Sequence, residues 1–392
     1  MTDRLYYTDP YVTEFDAQVV GVESHDGRPA AILDRTAFYP TSGGQPFDTG
    51  RLGDAAVVDV VDREDGTILH LLDRAMATGP VHGTIDWARR FEHMQQHTGQ
   101  HILSAAFDRL FRVRTESFHL GSQSSTIDLA RAVSATEIEA AEDEANRIVW
   151  EDRPIAIRFA DAAEAAALPL RKESTRGGRL RLVEVPDFDI SACGGTHVAR
   201  TGGVGEIAVA SSERFRGGSR LEFVCGVRTL RSFRLLRDSI AASVRLVSVL
   251  PGELPAGIER LQADARETRR QLKDAQARLA GFEAAALADR AALHGDDRVV
   301  IEVLEGWDQS GLKTIASTIA ARPAHIAVLF TTPAPSAVVI ARADGSQFDS
   351  AAAMRRLIQE FGGKGGGRPD LAQGGGLQAT PEALVALARS LF

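Results

Sequence analysis

His97-Thr98-Gly99-Gln100-His101 and Cys193-Gly194-Gly195-Thr196-His197 hold between them three imidazoles and a thiol. Residues four apart on a helix share a face, so His97 and His101 can point at one spot if their segment is helical. In the second stretch a glycine pair lets the backbone fold a thiolate and an imidazole together. Three imidazoles and one thiolate suit tetrahedral Zn²⁺, for which both donor types are natural ligands. The spacing predicts a zinc site assembled from two distant pieces of chain. One choice stays open: His93, His97 and His101 form a single helical stripe, and spacing alone leaves 93/97 competing with 97/101.

Other stretches carry polar chemistry. In Thr41-Ser42-Gly43-Gly44-Gln45, the glycines let backbone come close to a ligand, and the Gln45 amide both donates and accepts. An ordinary hairpin loop has the same composition. From Gly362 to Gly376 the chain is mostly glycine, and Lys364 and Arg368 in it suit a loop that wraps a phosphate backbone. Basic residues also gather at Arg171, Lys172, Arg176, Arg179 and Arg181, and at Arg214, Arg216 and Arg220. These clusters read as phosphate-contacting loops or as solvated surface.

The elements that must position these residues follow from pattern. Residues 1–86 alternate polar and apolar between Asp-Gly and Gly-Gly turns, with strands expected at Glu14–Val22, Arg28–Leu33, Ala55–Val61 and Thr67–Leu72, in a small barrel-like domain. Trp87 to Phe111 reads as the helix carrying the histidines. Over 87–226 an extended segment from Arg114 to Leu129, a helix from Glu137 to Trp150, and strands at Ile155–Phe159, Arg179–Val185, Gly205–Ser211 and Arg220–Cys225 make an α+β domain. A helix from 227 stops before Pro251. From Ile258, apolar or small residues (Leu261, Ala265, Leu272, Ala275, Leu279, Phe282, Ala286) recur at heptad spacing, which predicts a helical hairpin over 227–294, with a dimeric coiled coil as the alternative. Residues 295–392 alternate strand and helix as a small α/β domain ending in the glycine-rich loop.

Composition excludes several classes. A hydrophobic content of 44% and a charged content of 25% over 392 residues describe a soluble protein with real cores. No apolar run approaches a membrane span, and the N-terminus lacks a signal-peptide pattern. Two cysteines, one already taken by the zinc site, leave no disulfide framework, so a cytoplasmic location is expected. A net charge of −8 argues against a general nucleic-acid coat but says nothing of a local site.

Three features in this order, Phe38 to Gly50, the two His/Cys motifs and the glycine stretch from Gly362, resemble the editing and C-terminal domains of alanyl-tRNA synthetase. No class II ATP-binding domain fits before Tyr39. The chain is therefore similar to the free-standing alanyl-tRNA editing proteins of the AlaX family, in their long form. That resemblance implies zinc ligands at His97, His101, Cys193 and His197, with His93 outside them. It implies an editing-site glutamine at Gln45, presented by Gly43 and Gly44. A threonine that senses the seryl hydroxyl matches Thr115, with Ser117 as rival, and Arg220 matches loosely a basic residue near the terminal adenosine. Lys364 and Arg368 would belong to the domain that binds the tRNA body.

The implied substrate is tRNA(Ala) mischarged with serine, or with glycine, and the reaction is hydrolysis of its aminoacyl ester. Four protein ligands resemble a closed, structural site, so zinc is expected to position substrate and water, with direct activation of the water as the alternative. A site that hydrogen-bonds the seryl hydroxyl rejects alanine, which leaves that polar group unpaired. The rival reading is a non-catalytic, zinc-stabilised tRNA-binding module. A two-metal phosphoesterase lacks an Asp-His-His cluster. Monomer and homodimer both fit the sequence.

Overall fold

The computed structural model describes residues 1–171 and 180–392, and the chain divides into two compact units, Met1–Ala242 and Ser243–Phe392. Lys172, Arg176 and Arg179 lie outside the described residues.

The first unit begins with a closed six-stranded barrel. Glu14–His25 pairs with Arg28–Leu33, and the order continues through Ile68–Leu72, Ala55–Asp62, Gly50–Leu52 and Gly79–Ile85, which returns to Glu14–His25. Strand period fills it: Phe15, Ala17 and Val19 alternate inward and meet Leu33, Leu52, Val57 and Ile85 in one core. Gly50–Leu52 and Gly79–Ile85 were not apparent from pattern, since one is very short and the other is interrupted by glycine and histidine.

The helix Trp87–Phe111 runs through the middle of this unit. Asp86 caps its N-terminus by accepting from Arg89 N, and Arg112 ends it in the left-handed region at φ 55°. Nearly every side chain from His93 to Phe107 is buried, polar ones included. Its apolar positions Ile102, Leu103, Ala106 and Phe107 join the helix Ala135–Trp150 and the inner face of a four-stranded antiparallel sheet, ordered Ile207–Phe215, Gly218–Cys225, Ser125–Leu129 and Thr115–Leu120. A separate antiparallel sheet of Ala156–Ala160, Leu180–Val185 and Asp189–Ala192 leads into the Cys193 turn. Barrel and helix are tied by a fully buried pair: the Arg90 guanidinium grips Asp48 and also donates to the carbonyls of Pro10 and Ala37.

The second unit holds the long helix Leu254–Asp289 and a six-stranded sheet. Sheet order is Ala292–His294, Asp297–Glu305, His325–Thr332, Ser336–Arg342, Leu371–Leu377 and Lys364–Gly367. Only Asp297–Glu305 and His325–Thr332 run parallel in this sheet, joined by the helix Gln309–Ala320; short turns join three of the antiparallel pairs, and the fourth, Ser336–Arg342 with Leu371–Leu377, is reached through the helix Ser350–Phe361 and the strand Lys364–Gly367. Helix Gln309–Ala320 and the end of Leu254–Asp289 cover one face, and helices Ser350–Phe361 and Pro381–Arg389 the other.

Two expectations need correction here. The glycine-rich stretch is a paired hairpin, Lys364–Gly367 against Leu371–Leu377, and not a loop. The heptad seam is not what packs: Leu261, Leu272, Leu279 and Phe282 are all exposed, whereas Ala280, Ala284, Leu287 and Ala288, off that seam, pack against the sheet.

Candidate metal centre

Four donors converge where the central helix meets the turn after Asp189–Ala192. The ligand atoms of His97, His101, Cys193 and His197 lie within 4.8 Å of one another. Cys193 Sγ is 3.4 Å from His97 Nε2 and 3.3 Å from His197 Nε2. His93 is outside the cluster, so the pair brought together is 97/101 and not 93/97.

Each imidazole is oriented by a partner on its other nitrogen. His97 Nδ1 is 2.8 Å from Gln45 Oε1, His197 Nδ1 is 3.1 Å from Thr98 Oγ1, and His101 Nδ1 is 3.4 Å from Asp189 Oδ2. Such outer partners fix the tautomer and leave Nε2 free as a ligand. Asp189 is itself held by Arg171, with Nε to Oδ1 at 2.8 Å. Burial opposes its charge, yet Arg171 and His101 bring its carboxyl down to about 2. The three imidazoles likewise hold the Cys193 thiol well below its ordinary value against burial, so the sulfur is a ready thiolate.

The turns that deliver these groups need their glycines. Gly43 and Gly44 both have positive φ, 54° and 82°, in a tight turn closed by reciprocal Ser42 and Gln45 backbone bonds. A Cβ on Gly195 would lie 2.1 Å from His97 Cε1, so only glycine fits under that ring. Arg181 ties the turn down: Nη1 donates to the carbonyls of Cys193 and Gly195, and Nε to Tyr7. It is buried in strand Leu180–Val185, which corrects its reading as part of a phosphate-contacting loop.

The other sequence candidates are placed as follows. Gln45 reaches the centre but is fully committed within it: Oε1 also accepts from Thr196 N at 3.1 Å, and Nε2 donates to Thr196 Oγ1 at 2.8 Å. Its amide thereby links the His97 ring to Thr196. Thr115 lies on the helix side of its strand, where Oγ1 donates to Ser104 Oγ at 2.8 Å; Gln100 Nε2 donates to the same oxygen, and Gln100 Oε1 is buried without a partner. Ser117 is on the outer face, bonded to Asp128. Arg220 is on that outer face too, paired with Asp128 at 2.7 Å and stacked over Phe215, so the structure does not bring it to the histidines. Lys364 and Arg368 are exposed on the edge hairpin of the second unit, with Arg368 paired to Asp370. Thr98, Asp189, Thr196 and Arg181 were not singled out from sequence for these roles, although Thr98 and Thr196 sit inside the two motifs.

Two domain families match the chain: the threonyl and alanyl tRNA synthetase second additional domain over residues 180–221, which contains Cys193 and His197, and the DHHA1 domain over residues 296–392. The chain is 31% identical to the alanyl-tRNA editing protein AlaX-L of Pyrococcus horikoshii, over 99% of this chain and 98% of that protein. It is 33% identical to the alanine–tRNA ligase of Pyrococcus furiosus over 95% of this chain, spanning 42% of the ligase. The C-Ala domain from Aquifex aeolicus alanyl-tRNA synthetase aligns with 26% of this chain and 96% of its own length, at 23% identity and a TM-score of 0.24. The match over nearly the whole of both chains places this protein among the alanyl-tRNA editing proteins. Its end-to-end match is with AlaX-L, and it is a member of that family. Among the described residues, no helix is long and apolar enough to cross a membrane.

Proposed function

We propose that the protein hydrolyses the aminoacyl ester of tRNA(Ala) mischarged with serine, with glycine as a further substrate, at a zinc centre held by His97, His101, Cys193 and His197. The observation that carries this is the convergence of those four donors, each imidazole already oriented from behind. The donor set fits the ion: a tetrahedral zinc with ordinary bond lengths sets sulfur and nitrogen about 3.6 Å apart, close to the 3.4 and 3.3 Å found. Bound zinc would supply a Lewis acid beside the ester.

The chain's own residues do the rest. Gln45, Thr98 and Asp189 hold the imidazole rings rigid, and Arg181 with Gly195 fixes the thiolate turn. Thr115, Ser104 and Gln100 form a buried polar chain one helical turn from the ligands, ending in an acceptor without a partner. A seryl hydroxyl satisfies such a chain, and an alanyl methyl does not. Lys364 and Arg368 would contact the body of the tRNA.

The test is ester loss from Ser-tRNA(Ala) and Ala-tRNA(Ala), with and without a zinc chelator. Fast, chelator-sensitive loss of the seryl ester alone is expected. Survival of both esters on a protein that still binds tRNA would replace this reading with a binding module. In the same assay Thr115→Val should lower the preference for seryl over alanyl ester about tenfold, the worth of one hydrogen bond. An unchanged preference removes Thr115 from the role.

A further inference from the structure

At His93, one helical turn before His97, a cleft of about 430 Å³ opens, at the lower end of the size usual for small-ligand sites. Among its lining residues are Pro46, which follows Gln45, and Arg89, Glu92, His93, Arg228 and Arg231. His93 is only 3% exposed, and its Nδ1 has no hydrogen-bond partner. A buried ring nitrogen without a partner has room for a hydrogen bond from whatever enters the cleft, water or ligand. Burial, followed by Arg89, Arg228, Arg90 and His97, lowers this ring to about 3, so it stays neutral.

The charges around it are arranged for an anion. Glu92 is shared between two guanidiniums, Arg228 Nε at 2.9 Å and Arg231 Nη1 at 2.7 Å. Arg228 is buried and also donates to Gly121 O. Arg231 reaches out of the cleft, with its side chain 66% exposed. Arg89 is anchored by Nε to Phe47 O at 3.0 Å and lies over the Phe47 ring, with its terminal nitrogens uncommitted. Asp86, the other acid at the cleft, is occupied by the Arg89 backbone and the Thr49 hydroxyl. Three guanidiniums therefore face two carboxylates, both already engaged.

Single-stranded RNA ends are bound in this way, with guanidiniums on phosphates and buried polar groups on base edges or ribose hydroxyls. We infer that this cleft seats a nucleotide of the single-stranded 3′ end of an RNA, its phosphodiester on Arg89 and Arg231 and its base or ribose against His93. The inference rests on the deacylase reading above, because it gives that site's substrate its second foothold, next to the reacting end.

The test is binding of the trinucleotide CCA to the full chain by calorimetry over a range of salt. Arg231→Gln and Arg89→Gln are chosen because neither opens the core, and far-UV circular dichroism and metal content serve as controls. Each change should weaken CCA binding about tenfold and lower the slope of log affinity against log salt by about one. In turnover of Ser-tRNA(Ala) the loss should fall mainly on KM. Unaltered CCA affinity and salt slope in both variants would overturn the inference, as would no measurable binding by the parent protein. If the parent binds CCA with the expected salt slope but hydrolyses no ester, the deacylase reading fails and the nucleotide site stands.

Discussion

Cys193→Ala should lose the metal and, with it, at least about a hundredfold in hydrolysis of the seryl ester, while far-UV circular dichroism stays that of a folded chain. Cys193 is the common neighbour of the imidazoles, so its sulfur is the hub of the donor set. It belongs to none of the hydrophobic clusters of the first unit, which is why secondary structure should survive. Cys225→Ala is the matching control. Its thiol is fully buried, packed over Gly99, and pushed up by burial, so this change costs packing and leaves metal content alone. Gln45→Ala should fall between the two, weakening metal affinity about 10- to 100-fold through a loosened His97. Metal retention and full turnover in Cys193→Ala would sink the zinc-centre proposal. Global unfolding of that variant, with wild-type protein showing no hydrolysis, would favour a structural metal in a binding module.

Arg90→Met should be the most damaging single change to stability, at about 3–5 kcal/mol, because it strands the Asp48 carboxylate where no water reaches. Both side chains of the pair are 0% exposed, and Asp48 retains only the Tyr39 N–H at 2.7 Å as a close donor. Two backbone carbonyls, of Pro10 and Ala37, lose their donor as well. For a unit of this size the melting temperature should fall by about 10 °C. The double variant Arg90→Met with Asp48→Leu should recover part of the loss, since the unpaired charge is then gone. A shift of a degree or less in Arg90→Met would show that the pair does not lock helix to barrel.

The four donors were readable because they lie in two short motifs whose chemistry depends on local spacing. What organises them was not. Asp189 reaches His101, and Arg171 reaches Asp189, through tertiary contact, and no local pattern links residue 189 to residue 101. Arg181 was grouped with its basic neighbours in sequence, yet strand alternation buries it under the Cys193 turn. Arg220 lies away from the histidines for a related reason: the period of two sets it on the face opposite Leu221 and Phe223. Glycine composition suggested a loop after Gly362, because the partner strand that makes it a hairpin is itself glycine-rich and carries no strand signal. The barrel was legible as alternating strands, whereas its closure depends on two segments too irregular to announce themselves.

His97 and Cys193 stand 96 positions apart in sequence, and Gln45 and Thr196 stand 151 apart. An ion that grips both sides would therefore act on the topology of the chain as well as on the ester. If it held as firmly as a covalent link, closing a loop of about a hundred residues would remove roughly 5 kcal/mol of conformational freedom from the unfolded chain. The centre would in that sense be a clasp: the Gln45 turn, the central helix and the Cys193 turn, which lie far apart along the sequence, would be fastened at the same few atoms that would meet the substrate.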